Sequence, residues 1–169
     1  MPHYTEQLAV SLQQKNPETV EIEDRSWRTN TWPPATVNSI AAYLAADSDL
    51  RRAVRFADVL VLALTGTSPD DFADQLRNLL DDVDWIRQNR PIDLRVVVAP
   101  TPRSSGTWTG QVAEAGCQIA VSYPGACVNV SELIQLGYLS PRDWQTSGRH
   151  PRLSQHGHDI VARELISTR

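Results

Sequence analysis

Lysine is nearly missing from this chain: of 16 basic residues only Lys15 is one, and the formal charge is −4. The skew points to a G+C-rich genome before it points to any chemistry. With acidic residues scattered and no basic block or aromatic-rich stripe, it speaks against a nucleic-acid partner. Long hydrophobic runs are missing as well. The longest strongly apolar stretch, Val59 to Leu64, falls far short of the roughly 20 residues a membrane span needs. The N-terminus has no basic-then-apolar pattern of a signal peptide, so the chain as written is expected in the cytoplasm or as part of a larger particle, with no membrane partner. No Gly-x-Gly-x-x-Gly follows a strand, which sets a dinucleotide-binding protein aside. Cysteine is scarce: Cys117 and Cys127 have no C-x-x-C spacing and no histidine at ligand distance in sequence. Two reduced, half-buried thiols are expected, with a disulfide between them as the alternative. No metal and no cofactor are expected.

What is present reads as one folded domain over residues 1–169, since 41% hydrophobic and 21% charged residues suit a globular chain with a single core. Four apolar, β-branched runs are predicted strands: Val20 to Ile22, Val59 to Leu64, Leu94 to Ala99 and Gln118 to Tyr123. The middle two are continuously apolar, as in strands covered on both faces. Between them lie helical spacings at Tyr4, Leu8 and Leu12, at Ile40, Leu44, Leu50 and Val54, and from Phe72 through Leu76, Leu79, Leu80 and Val83 to Ile86. The alternation predicts an α/β fold, a three-layer sandwich around a central parallel sheet, with ligands at the carboxyl ends of the strands. Thr29 to Pro34 and Thr101 to Thr109 read as surface loops. Their tryptophans, Trp32 and Trp108, form either a binding platform or, the preferred reading, caps folded over the sheet. Leu153 to Ile166 closes the chain as a helix for which Ser154 is the candidate cap.

Two stretches carry a family resemblance. VLVLALTGTSPDDF, Val59 to Phe72, resembles the third conserved block of the SGNH (GDSL-like) hydrolases, a buried strand running into Gly-x-Asn-Asp and then a helix, with Gly66 in place. RLSQHGHDIVAREL resembles their last block, in which Asp-x-x-His is followed by a short loop, Gly-His and a helix containing Ala; Gly157, His158 and Ala162 match. LRVVVAPTPR is similar to the strand and loop after the family's long helix, and YTEQLAVSLQQKNPETVEI to its first helix and second strand. The resemblance spans most of the chain and implies a flavodoxin-like, SGNH-hydrolase-like sandwich.

The chemistry the resemblance implies is acyl transfer by a Ser nucleophile, a His base, an Asp that orients the His, and an oxyanion hole that includes Gly and Asn. The family's nucleophile closes a first strand that would precede Tyr4, so either the chain is a shortened version or its start lies upstream. Ser68 stands where the oxyanion-hole Asn belongs and Pro69 where the Asp belongs; Ser68-Pro69-Asp70-Asp71 is equally the signature of a helix start. Aligned without a gap, Arg149 takes the Asp position and Arg152 the His position, and an always-charged guanidinium cannot act as a base. A gapped alignment makes His150 the base with Ser147 as a weak orienter. His156 and His158, two apart, point to different faces of a helix, so a two-His metal site is not expected and His158 reads as a structural contact. Cys127 follows a predicted strand but has no identifiable base. The expectation is a degenerate SGNH-like domain, a binding or structural module without catalytic residues. Its cleft residues would be Gly66, Ser68, Arg149 and Arg152, suited to a carbohydrate or an anion. Self-association or docking on another protein is expected, because a missing first strand would leave pairing groups open. The rival is an active esterase that uses His150 with Ser11 or Ser104.

Overall fold

The computed structural model describes residues 3–15, 35–66, 68–99, 107–140, 142–145 and 152–167, with the backbone alone for 35, 107–109, 144, 145 and 152. In chain order these form α1 (Tyr4–Lys15), β1 (Ala35–Thr36), α2 (Val37–Ala46), α3 (Ser48–Phe56), β2 (Val59–Thr65), α4 (Pro69–Arg87) and β3 (Asp93–Val98). There follow α5 (Thr107–Ala120), β4 (Gly125–Asn129), α6 (Val130–Gln135), β5 (Trp144–Gln145), β6 (Arg152–Leu153) and α7 (Gln155–Ile166). They fall into two compact units, a sheet unit of residues 34–131 and a second unit made of residues 1–33 and 132–169.

In the sheet unit the strands run parallel in the order β1-β2-β3-β4, with β1 a two-residue edge beside three full strands. Strand order that follows the chain puts every right-handed crossover on the same side of the sheet, so α2 to α5 form one layer. Leu62, Val96 and Cys127 share a row, as do Leu64 and Val98, and these side chains meet Leu44, Phe72, Leu76, Leu80 and Val112 in one apolar core. Phe72 is the wedge of that core. Its ring occupies the space beside two glycines: a Cβ on Gly66 would run into the ring, and one on Gly116 would lie 2.7 Å from its Cε1.

Polar groups fix the connections. Asp47 ends α2 and starts α3, its Oδ1 accepting from the backbone N–H groups of Asp49 and Leu50 at 2.9 and 3.0 Å. That cap splits the apolar pattern from Ile40 to Val54 into two helices. Arg87, 3% exposed, donates to the carbonyls of Val54, Ala57 and Pro91 at 2.6, 2.6 and 2.7 Å, and so joins the open end of α3 to the turn after α4. Tyr123 donates from its hydroxyl to Asp84 Oδ2 at 2.9 Å; burial and this carboxylate push its pKa up to about 12.

Three expectations are corrected by the structure. Gln118 to Tyr123 is not a strand: Gln118, Ile119 and Ala120 end α5, the Val121 and Tyr123 amides bond back to Cys117 and Ala120, and the strand is β4, starting at Gly125. An apolar run this short fits a helix end as well as a strand, and Gly125 decides the matter. Its φ is +143° and a side chain there would collide with the Leu94 carbonyl, so only glycine lets the chain enter the sheet beside β3. The second correction follows. With β4 in this register Cys127 faces the helices, and it is joined to Cys117 of α5 in a disulfide with Cα atoms 5.4 Å apart, so the thiols are not free. The loop expected at Thr101 to Thr109 is also shorter at its end, since Thr107–Thr109 belong to α5. The expected strand at Val20 to Ile22, the loop at Thr29 to Pro34 and Trp32 lie outside the described residues.

In the second unit α1 packs on α7. Tyr4 and Leu8 are buried as the spacing predicts, and Gln7 donates to Asp159 Oδ1 at 2.9 Å. Ser154 caps α7 as expected, its Oγ accepting from the Gly157 N–H at 3.0 Å. β5 and β6 form a short antiparallel ladder pairing Trp144 with Leu153 and Gln145 with Arg152.

Candidate functional site

The carboxyl end of β2 is where the resemblance places an oxyanion hole. Gly66 is there, and its lack of a side chain is taken up by Phe72. Ser68 is the N-cap residue of α4 in extended conformation (φ −125°, ψ 129°), with Pro69 at the first helical position and Asp70 and Asp71 in the first turn. Ser68 thus starts the helix as its sequence signature predicts, its carbonyl accepting from the Phe72 N–H at 2.9 Å while its hydroxyl makes no capping bond. Neighbouring strand ends carry Ala99, buried and bonded through its N–H to the Leu64 carbonyl at 2.9 Å, and Asn129 leading into α6. Two hydroxyls near these ends, Thr65 Oγ1 and Ser131 Oγ, are buried without a hydrogen-bond partner among the described residues.

Gly66 and Ser68 therefore share one strand-to-helix connection. Arg149 and His150, with Ser147, lie outside the described residues; Arg152 is described only by its backbone, in the β5–β6 ladder.

The Gly-His pair of the last block has plain structural work. A Cβ on Gly157 would come within 2.6 Å of Leu153, so the glycine lets the chain entering α7 fold tightly on itself. His158 is 6% exposed, stacked on Tyr4 with ring centroids 5.7 Å apart and beside His3 at 4.6 Å. Its Nδ1 has no hydrogen-bond partner among the described residues. Burial, with His3 close by, pushes its pKa down to about 4, so it is neutral near pH 7. His156 lies on the exposed side, donating from Nε2 to the Tyr138 carbonyl at 3.2 Å, which agrees with the expectation that the two histidines face apart.

Sequence reasoning missed Asp143. Its Oδ2 accepts from the Ser140 N–H and its Oδ1 from the Ser154 hydroxyl, both at 2.8 Å. Partial burial opposes its charge, but the hydrogen bonds from Ser140 and Ser154 outweigh that and hold the carboxyl below the usual range. A Ser–Asp pair invites a catalytic reading, yet Ser154 is committed as donor to Asp143 and as acceptor from Gly157, and His156 is bonded to the Tyr138 carbonyl. The Ser-Pro-Arg-Asp turn at Ser140 to Asp143 was the only local signal, and nothing in it announces the partner eleven residues on. Among the described residues no three His, Cys, Asp or Glu side chains are placed to hold a metal ion, and no helix is long and apolar enough to cross a membrane.

The fold and these groups define an α/β protein with a parallel sheet whose described strand ends carry packing and capping residues. No protein-family model matches the chain, and no curated protein or solved structure matches it.

Proposed function

We propose that this chain is an SGNH-hydrolase-like domain that has given up the family's catalysis and serves as a binding or structural module. In this reading it is a three-layer sandwich whose cleft lies at the carboxyl ends of β2, β3 and β4. The observation that carries it is the Ser68-Pro69 connection: where the family offers an Asn donor and an Asp, this chain begins α4 with a proline and two acids that suit the positive end of the helix. The retained Gly66, Gly157 and His158 are accounted for by Phe72, Leu153 and the Tyr4–His158 stack, with no appeal to a reaction. A guanidinium at the base position of the ungapped alignment, Arg152, would leave no group to take the nucleophile's proton. The cleft then binds rather than turns over, with Gly66 and Ser68 in its wall and a protein, carbohydrate or anionic occupant.

Hydrolysis of a short-chain p-nitrophenyl ester tests this. The purified protein and a His150→Ala variant should both run at the buffer rate. Turnover by the parent chain that disappears in the variant would establish His150 as a general base and replace this reading by an esterase.

A further inference from the structure

On α4, far along the helix from Ser68, Trp85 stands 79% exposed, a large apolar ring set in water on a soluble face. It borders a depression of about 570 Å³, lined also by Arg55, Asp81, Asp84, Gln88 and Asn89, all within the sheet unit. The last turn of α4 leads into the start of β3, so this depression lies toward the amino ends of the strands, away from Gly66 and Ser68.

Three features separate Trp85 from an ordinary surface aromatic. Phe56 nearby is also exposed, but the guanidinium groups of Arg55 and Arg90 lie over its ring at 5.5 and 5.7 Å, whereas the indole of Trp85 has no cation or ring against it among the described residues. The second is backbone conformation. Gln88 and Asn89 are consecutive non-glycine residues at φ 55° and 58°, where a helix end ordinarily uses one glycine. The chain accepts a left-handed pair and in return places two amides beside the ring. Third, polar side chains around the ring are exposed and not committed to protein partners. Arg55 is tied to Gln88 Oε1 at 3.2 Å and Asp84 Oδ2 takes the Tyr123 hydroxyl, but Asp81, the Asn89 amide and Gln88 Nε2 make no side-chain bond among the described residues.

From this geometry we infer that the depression beside Trp85 is a binding subsite for a neutral, equatorially substituted oligosaccharide. The flat C–H face of such a sugar stacks on the indole, and its hydroxyls, each both donor and acceptor, bond the carboxylate of Asp81 and the amides of Gln88 and Asn89. Two carboxylates against one guanidinium disfavour an anionic sugar. The same carboxylates disfavour a protein partner, since the core of a protein interface is depleted of Asp and would desolvate these groups without pairing them. The inference does not depend on the catalytic state of the strand-end cleft, so the ester assay can fail without touching it.

The test is an NMR titration of the ¹⁵N-labelled full chain with cellohexaose and with chitohexaose, and with a heparin hexasaccharide as the anionic comparison. Saturable shifts are expected at the Trp85 indole N–H and at the Gln88 and Asn89 amides with at least one neutral probe, and none with heparin. Trp85→Ala, which removes an exposed ring and leaves the core intact, should weaken binding at least about tenfold as read at Asn89. Asp81→Ala should weaken it in the same direction. Absence of shifts at millimolar neutral probe, stronger binding of the heparin fragment, or an affinity unchanged in Trp85→Ala would each overturn the inference. So would concentration-dependent broadening around Trp85 without any sugar, which would give the face to a second copy of the chain.

Discussion

His158 packs against the touching rings of Tyr4 and His3, with Asp159 the neighbouring carboxylate and His3 an added source of positive charge. Burial, more than any charge, keeps its proton off down to about pH 4, against an ordinary 6.5. A base whose folded pKa is lowered binds fewer protons folded than unfolded between those values. Its contribution is therefore complete above about pH 6.5 and is lost as pH falls towards 4. Between pH 7 and pH 5 the loss should be about 2 kcal/mol. Urea unfolding at both pH values checks this against His158→Phe, which keeps an aromatic ring at the stack and should lose that much less stability over the interval. An equal loss in the variant would mean that His158 is not the titrating group. At this scale the sequence was only half legible. Gly66, Gly157 and His158 could be picked out, but their partners, Phe72, Leu153 and Tyr4, make them packing residues, and a pattern of letters does not say which neighbour a glycine makes room for.

Helices were legible wherever an apolar stripe at helical spacing was long enough, as in α4, whose Phe72, Leu76, Leu79, Leu80 and Val83 are all buried, and in α7 behind its Ser154 cap. The strand misplaced onto Gln118 to Tyr123 shows the opposite case, four apolar residues whose period is too short to read. Arg87 went unnoticed because a lone Arg near a helix end reads as a solvated charge. Four carbonyls converge on it: two stand at the end of α3 and two, of Arg90 and Pro91, just before β3. Arg87→Met should strand those carbonyls in a buried site and cost on the order of 3 kcal/mol. Chemical denaturation of the variant measures it, and Arg87→Lys, with a point charge in place of a planar fork, should recover only part. A cost below experimental error would mean that water satisfies the carbonyls and the guanidinium is dispensable.

For the whole molecule, the disulfide ties α5 to β4 across a sequence separation of 10. Closing a loop of that size in the unfolded chain is worth about 3 kcal/mol. The purified protein should show no titratable thiol before reduction, and the Cys117→Ala, Cys127→Ala double variant should unfold at correspondingly lower urea. Two reactive thiols in the native protein would restore the reduced state read from spacing alone. Disulfides persist in oxidising compartments and are reduced in ordinary cytosol, so the thiol count also bears on where the chain works. The sequence by itself determined the class of the fold, because alternating strand and helix periods leave few ways to bury both. It determined the two central strands, continuously apolar, and the cap at Ser154, whose side chain reaches only a few residues along the chain. Tertiary structure alone decided the rest: the register that pairs Cys117 with Cys127, the ring that makes Gly66 a glycine, the carbonyls that gather on Arg87, and the amides set beside Trp85. Each of these joins residues far apart in sequence or depends on a backbone turn, and distance in space is the one quantity that local periodicity does not carry.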